Sequence, residues 1–310
     1  MKRKPLVVIS GPTACGKTAA AIELAKRVNG AIISADSMQV YKYMDIGTAK
    51  PTLEEMQGIR HYLIDELMPD EEYSVAVFAQ MARQYVQKIY DRGKLPILVG
   101  GTGFYINAFV NDTEFTTTTA NLDFRERLYV LAREQGTGAV YEMLQKVDPE
   151  ACEKIHPNNV KRVIRALEFY DQTGEPISSH NLQQKQKTGC YDTKFIVMYL
   201  PREKLYARIE ERIDFMMIQG LEDEVHMLLE RGYSPDLTSM QGLGYKELVP
   251  YIQGKRTMRE AVDMLKRNTR RFAKRQITWF KNQNFGVWIN VDEFENIDIM
   301  LDMVMSGNAL

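Results

Sequence analysis

The sequence predicts an α/β protein in which a doubly wound parallel sheet carries an inserted helical domain. Three observations support this. Short apolar runs alternate with helical stretches, a glycine-rich loop follows the first apolar run, and the alternation stops in mid-chain before it resumes. The chain has 310 residues, 45% hydrophobic and 26% charged, which is typical of a globular protein large enough for a core domain and an insertion.

The first apolar run, Leu6 to Ile9, leads into a loop with the sequence of a phosphate-binding P-loop. A helical stretch from Ala19 to Val28 follows, so the fold is expected to be P-loop NTPase-like. Lys17 would supply positive charge and Thr18 a Mg²⁺ ligand, although a tight turn with a solvated Lys17 has the same pattern. The predicted diphosphate-binding residues are Gly11, Pro12, Thr13, Ala14, Cys15, Gly16, Lys17 and Thr18.

Asp36 is the best candidate for an acidic group at the carboxyl end of a strand. It follows the predicted second strand, so Asp36 and Thr18 should face the same crevice. Its position suits a base on the acceptor side, but a turn or helix cap has the same sequence. Gly100 to Gly103 is either a second functional loop or a tight turn. The second, third and fourth strands are predicted at 31–34, 61–65 and 95–99.

The alternation stops near Asn111, and the following stretch has amphipathic helices but no convincing strand. We therefore predict a core domain at 1–112 and 191–310, with a helical insertion domain at 113–190. The core is predicted to resume with a strand at 195–200, one long helix at 202–230, a basic helix at 257–281 and a strand at 287–291.

Charge is distributed unevenly, although the formal net charge is −1. Between Lys255 and Phe285 there are ten basic residues and two acidic ones, which gives a local net charge of +8. Such a segment indicates a surface for a polyanion, or else a solvated helix face. Lys161, Arg162 and Arg165 form a second basic cluster in the insertion, with the same two interpretations.

Several functions are compatible with a P-loop. An NTPase needs an acidic residue after an apolar strand to hold the Mg²⁺ shell, whereas the strand at 95–99 is followed by glycines. A small-molecule kinase, an isopentenyltransferase acting on a free adenine nucleotide, and an NTP-gated RNA-binding module remain candidates. The insertion and the basic segment favour a tRNA acceptor, because a free nucleotide needs neither.

Five motifs in order resemble the bacterial tRNA dimethylallyltransferase family over roughly Val7 to Phe285. They lie at 11–18, 34–41, 100–105, 162–168 and 274–280. The resemblance implies transfer of a dimethylallyl group from dimethylallyl diphosphate to N6 of the adenosine immediately 3′ of the anticodon in tRNA, with release of diphosphate. It also implies a Mg²⁺ cofactor bound at Thr18, and the anticodon stem-loop as the partner.

The resemblance also implies roles for individual residues. Asp36 would accept the proton of the adenine amine, Thr102 would orient the reacting groups, and Arg212 would stabilise the departing diphosphate. For Arg212 the alternative is a solvated charge paired with Glu210 or Glu211. The predicted tRNA-binding residues are Asp36, Ser37, Met38, Gln39, Val160, Lys161, Arg162, Val163, Ile164, Arg165, Gln241, Gly244, Tyr245, Lys246, Lys274, Arg275, Gln276, Trp279 and Lys281.

Cysteine and histidine patterns exclude other classes. Cys15, Cys152 and Cys190 are widely separated and lack Cys-x-x-Cys spacing, which argues against a disulfide framework and a structural zinc site. The four histidines show no metal-ligand spacing. No apolar run is long enough to span a membrane. We expect a cytoplasmic monomer.

Overall fold

The computed structural model describes residues 3–113, 121–185, 189–283 and 286–306, which form the predicted α/β fold. Contacts divide the chain into two compact units. The first comprises Met1–Val110 and Cys190–Leu310, and the second comprises Asn111–Gly189. The predicted insertion, 113–190, has boundaries next to those of the second unit.

The first unit contains a sheet of parallel strands. Its strands are β1 (Lys4–Ser10), β2 (Gly30–Ser34), β3 (His61–Tyr62), β4 (Leu95–Gly100), β5 (Tyr191–Tyr199) and β6 (Val287–Asn290). Their spatial order is β3-β2-β4-β1-β5-β6, and each neighbouring pair is parallel, as predicted. Ser10 pairs with Gly100, so the carboxyl ends of β1 and β4 lie side by side. Parallel sheets of this kind bind ligands beyond those ends.

Helices connect the strands and make up the described part of the second unit. Those of the first unit before the insertion are α1 (Lys17–Arg27), α2 (Leu53–Met56), α3 (Val75–Asp91) and α4 (Gly103–Val110). The second unit contains α5 (Leu122–Glu134), α6 (Thr137–Val147), α7 (Pro149–Cys152), α8 (Val160–Thr173) and α9 (Ile177–Lys185). The first unit resumes with α10 (Arg202–Ile218), α11 (Leu221–Glu230), α12 (Tyr245–Ile252), α13 (Met258–Lys281) and α14 (Ile297–Ser306). Among these described helices, none has the length and apolar character needed to cross a membrane.

Two elements differ from the sequence prediction. The helix predicted at 202–230 is two helices, because Gly220 has a φ of 95° and caps the start of α11 in the left-handed conformation. The strand predicted at 61–65 ends after Tyr62. Leu63 and Asp65 have φ values of 61° and 55°, which are incompatible with extended backbone.

The second unit has a hydrophobic core of its own. Helix α8 begins where the side chain of Asn159 accepts a hydrogen bond from the amide of Arg162, and it ends at Gly174. Its buried face includes Val163, Ile164 and the carboxylate of Glu168. This face therefore packs inside the unit and leaves only the opposite face for a ligand.

Candidate active site

The phosphate loop lies between β1 and α1, as predicted. Gly11 has a φ of 142°, and a Cβ at this position would lie 2.1 Å from the carbonyl oxygen of Met198 on β5. Only glycine fits such a close approach. Lys17 and Thr18 are the first residues of α1, where backbone amides have no intrahelical acceptor. The loop and the helix start therefore have the form of an anion-binding site.

Lys17 is held against the loop itself. Its Nζ donates a hydrogen bond of 2.5 Å to the carbonyl oxygen of Pro12. Burial lowers the pKa of the Lys17 ammonium below its ordinary value. The charge of Arg212 lowers that pKa further, while Cys15 and Asp36 act in the opposite direction. A bound anion would relieve both unfavourable contributions.

Arg212 points from α10 to the same loop. Its Nη1 donates to Thr13 Oγ1 at 3.3 Å, and in the described parts of the chain no carboxylate lies within 4.0 Å of it. Glu210, one of the two acids proposed to pair with Arg212, instead binds Arg270. Burial lowers the pKa of Arg212 and the charge of Asp36 raises it, but a guanidinium stays protonated. The interpretation as a solvated, paired charge is therefore wrong.

Asp36 and Thr102 lie on adjacent loops. The amide of Met38 donates to Asp36 Oδ1 at 2.8 Å, so this residue does cap a turn, while its Oδ2 has no hydrogen-bond donor among the described residues. The amide of Thr102 donates to the carbonyl oxygen of Ala35 at 3.4 Å. One carboxylate oxygen is thus fixed and the other is available to a substrate.

Three cavities meet at Arg212. A cavity of ≈ 100 Å³ is lined by Thr18, Asp36 and Arg212, which confirms that Thr18 and Asp36 face the same crevice. A second, of ≈ 300 Å³, is lined by Asp36, Thr102 and Arg212, together with Arg275. The third, of ≈ 700 Å³, includes Lys17, Thr18 and Arg212. The three predicted catalytic residues and the phosphate loop therefore form one site.

Helix α13 carries the basic segment, but not all its charge is available. Lys266 forms an ion pair of 2.6 Å with Asp214, and Arg270 pairs with Glu210. Both acids lie on α10, so the sequence segment alone overstates the free positive charge. Among the described residues, the exposed basic side chains of α13 without an ion pair are Arg259, Arg267, Arg271, Lys274, Arg275 and Lys281.

Two predicted tRNA contacts on α13 are buried or half-buried. Gln276 is 7% exposed, and its side chain binds the phosphate loop and the loop after β4. Trp279 is half-buried, and Gly103 packs directly against its ring. The side-chain amide of Gln276 is therefore used inside the protein, and its contact with tRNA stays a prediction.

The turn before α12 and the start of that helix also contain both exposed and buried residues among the predicted tRNA contacts. Gln241 and Lys246 are exposed, whereas Gly244 and Tyr245 are buried. Tyr245 Oη donates to Glu224 at 2.7 Å, so its hydroxyl is used inside the protein, and its contact with tRNA stays a prediction. The carboxylate of Glu224 also accepts hydrogen bonds from the backbone amides of residues 45–47, at 2.7 to 3.0 Å. Sequence analysis missed Glu224, because it is one of three acids in the first turn of α11 and nothing in the sequence distinguishes it from the other two.

The loop after β2 contains predicted tRNA contacts that are only partly accessible. Ser37 and Met38 are half-buried. Gln39 accepts a hydrogen bond from Ser34 Oγ at 2.9 Å and donates to the carbonyl oxygens of Thr48 and Ala49. Its amide therefore supports the loop and is not free for a base.

In the second unit, Lys161 and Arg162 are exposed and Val160 is half-buried. The side chains of Val163 and Ile164 are in the core of the unit, and their contact with tRNA stays a prediction. The guanidinium of Arg165 binds Glu168 at 2.8 Å. The basic cluster of the insertion thus offers two exposed cations on α8.

Comparison with known proteins gives a consistent result. A family model described as IPP transferase matches residues 39–283. A tRNA dimethylallyltransferase of Acetivibrio thermocellus is 53% identical over 94% of this chain and 93% of the relative. One from Lachnoclostridium phytofermentans is 49% identical over 97% and 96%.

Solved structures are similar too. A tRNA isopentenylpyrophosphate transferase of Bacillus halodurans is 44% identical, with a TM-score of 0.73 over 99% of this chain and 97% of that chain. A eukaryotic dimethylallyltransferase described as acting on tRNA is 30% identical, with a TM-score of 0.82 over 98% of this chain and 79% of that one.

Proposed function

This chain belongs to the IPP transferase family and is a tRNA prenyltransferase. From that premise we propose that it transfers a dimethylallyl group from dimethylallyl diphosphate to N6 of the adenosine immediately 3′ of the anticodon. The observation that carries the proposal is the meeting of the phosphate loop, Asp36 and Arg212 around one cavity. Such a site can bind a diphosphate beside a base that accepts a proton.

The leaving group determines the first half of the mechanism. The bond between C1 of the dimethylallyl group and the diphosphate oxygen breaks, and the electron pair remains on the diphosphate. The amides at the start of α1, Lys17 and Arg212 stabilise that negative charge. The amide of Thr13 takes no part, because it already donates to Gln276.

The acceptor determines the second half. The lone pair of an adenine amine is delocalised into the ring, so the amine is a weak nucleophile. As the N6–C1 bond forms, the proton of N6 passes to Asp36, whose Oδ2 is available. Thr102 lines the same cavity and can orient the amine, since its hydroxyl has no hydrogen-bond partner among the described residues. The adenosine must first leave its stack in the loop.

A Mg²⁺ ion fits the donor side. The Thr18 hydroxyl is exposed at the start of α1 and lines the cavity with Lys17. Mg²⁺ shared with phosphates needs few protein ligands, so one hydroxyl with diphosphate oxygens is a suitable set. When bound, the ion would neutralise charge on the diphosphate.

The RNA partner is proposed to bind through cations. The exposed basic residues of α13 and the pair Lys161 and Arg162 on α8 suit the phosphate backbone of an anticodon stem-loop. In the part of the chain that the structure describes, Cys15, Cys152 and Cys190 form no disulfide, which suits the reducing cytoplasm where tRNA is found. A monomeric state stays a prediction.

The proposal is tested by incubating the protein with dimethylallyl diphosphate, Mg²⁺ and undermodified tRNA. We expect one adenosine to gain the mass of a dimethylallyl group, at the position 3′ of the anticodon. An unchanged nucleoside mass would overturn the proposal. ATP as donor in a parallel reaction detects a kinase.

Asp36→Ala tests the proposed base. We expect the transfer rate to fall by about 10²- to 10⁴-fold, because a positioned base contributes about that much. Asp91→Asn, on the exposed end of α3, is the control. Full activity of Asp36→Ala, combined with none in Lys17→Ala, would show that this mechanism is wrong.

A further inference from the structure

Gln276 on α13 connects two loops of the active site. Its Oε1 accepts a hydrogen bond from the amide of Thr13 in the phosphate loop, at 2.9 Å. Its Nε2 donates to the carbonyl oxygen of Gly101, also at 2.9 Å. The side chain is 7% exposed, and both ends of its amide are used. A buried amide with both groups bonded is a geometrically specific link.

We propose that Gln276 is a positioning residue, which sets the spacing between the phosphate loop and the loop that carries Thr102. Thr13 lies next to the amides that face the diphosphate, and Gly101 immediately precedes Thr102. The strands before the two loops, β1 and β4, are paired up to Ser10 and Gly100, and beyond those residues the ladder ends. Beyond that point the side chain of Gln276 supplies the hydrogen bonds that connect the two loops, where the prenyl donor and the acceptor amine must meet.

Close packing supports this role. A Cβ on Gly101 would lie 2.2 Å from Gln276 Nε2, so a glycine at this position allows the amide to reach the loop. Thr13 is held from a second direction, because its Oγ1 accepts from Arg212. The phosphate loop is thus hydrogen-bonded to α10 through the hydroxyl of Thr13 and to α13 through the backbone amide of Thr13.

The position on α13 gives the link a further consequence. Lys274 and Arg275, two residues and one residue earlier, are exposed cations proposed to bind tRNA. The same helical turn therefore has a surface for RNA phosphates and a buried group that supports the catalytic loops. RNA affinity and loop spacing depend on different side chains of this turn, so variants can separate them.

The inference rests on the proposed transfer reaction, and the unchanged chain tests that reaction separately. The test variant is Gln276→Met, which has a similar shape but no hydrogen bonds. Thr278→Ala is the matched control, because it removes a polar group from the exposed face of the same helix. Three quantities are measured: the Kd for tRNA without donor, the Kd for inorganic pyrophosphate, and the single-turnover transfer rate at saturation.

For Gln276→Met we expect the single-turnover rate to fall by about 10- to 100-fold, the effect of misplacing reacting groups by about 1 Å. The Kd for tRNA should change by less than about 3-fold, a change too small to account for that loss. Pyrophosphate binding sites are counted by titration, so the rate is expressed per folded molecule. An unchanged rate would overturn the proposal, as would a defect confined to the Kd for tRNA.

A second variant approaches the contact from the other loop. Gly101→Ala displaces the Gln276 amide, so its loss of rate should resemble that of Gln276→Met. In the double variant the two losses should not add, because both act on one contact. Fully additive losses would contradict the proposal.

Discussion

At the scale of single residues, the active site is defined by charges that lack partners of opposite sign. Lys17 donates to a carbonyl oxygen and Arg212 to a hydroxyl, and within the described parts of the chain neither forms an ion pair with a carboxylate, although the charge of Asp36 acts on both. Two cations held near each other at partial burial are unfavourable without an anion. The site therefore suits the proposed diphosphate, whose binding would relieve the repulsion.

This arrangement predicts a pH dependence of anion binding. The pKa of Lys17 in the free protein is lowered from its ordinary 10.5, mainly by burial, so the ammonium is lost at a lower pH than in an unfolded chain. We expect the affinity for inorganic pyrophosphate to fall as the pH rises through that lowered pKa, by up to about tenfold per pH unit. Calorimetric titration between pH 7 and pH 10.5 measures it.

Lys17→Arg is the comparison, because arginine stays protonated over this range. The affinity of Lys17→Arg for pyrophosphate should change with pH only because pyrophosphate itself gains or loses protons. Identical pH profiles for the two proteins would show that Lys17 does not titrate in the range.

At the scale of elements, a buried carboxylate fixes two helices of the second unit. Glu168 on α8 binds Arg125 on α5 through two hydrogen bonds of 2.8 Å, and it also binds Arg165 and the amide of Asn121. Burial disfavours its ionisation, but these hydrogen bonds outweigh burial and lower the pKa of Glu168. The exposed basic face of α8 therefore depends on an acid in the core.

The lowered pKa of Glu168 predicts acid sensitivity of the second unit. A depressed carboxyl pKa contributes stability above the unfolded pKa of about 4.3, and that stability is lost as the pH falls through the folded value. Hydrogen exchange of peptides from α5 and α8 should thus be protected near neutral pH and lose protection below about pH 4.

Glu168→Gln should destabilise the unit by about 1 to 3 kcal/mol at neutral pH, because it weakens the charge-assisted hydrogen bonds from Arg125 and Arg165 and the bond from the amide of Asn121. Glu142→Gln, on the exposed face of α6, is the control and should change little. Unchanged exchange in Glu168→Gln would contradict the assigned role.

At the scale of the whole molecule, electrostatic binding of RNA depends on which cations remain unpaired after folding. Lys274 is exposed without an ion pair among the described residues, whereas Lys266 is bound to Asp214. The dependence of tRNA affinity on salt counts the cations that contact phosphates. Lys266 and Lys274, although on one helix, should therefore contribute differently to the salt dependence of tRNA affinity.

We expect Lys274→Gln to weaken tRNA binding and to reduce the slope of log K against log salt by about 1. Lys266→Gln should leave the slope nearly unchanged, since its charge is already compensated. Filter binding at several salt concentrations measures both. Equal slopes for the two variants would indicate that the ion pair with Asp214 opens in the complex.

Much of the fold could be predicted because it depends on local pattern. The apolar runs, the glycine loop and the helix after it place Thr18 and Asp36 at strand ends, and a parallel sheet brings such ends together. The helical period also held a signal for Gln276. This residue lies three positions after buried Ala273 and four before buried Phe280, in phase with the apolar face of α13. A polar residue in that phase predicts an internal hydrogen bond.

The sequence by itself determined the sheet, the phosphate loop and the basic helix, because periodicity and turn chemistry are properties of neighbouring residues. Only the tertiary structure decided which charges are free and which polar groups are internal. Asp214 neutralises Lys266, Glu224 binds a distant loop, and Gln276 connects loops from two strands. These contacts join residues far apart in the chain, and no local pattern specifies such a partner.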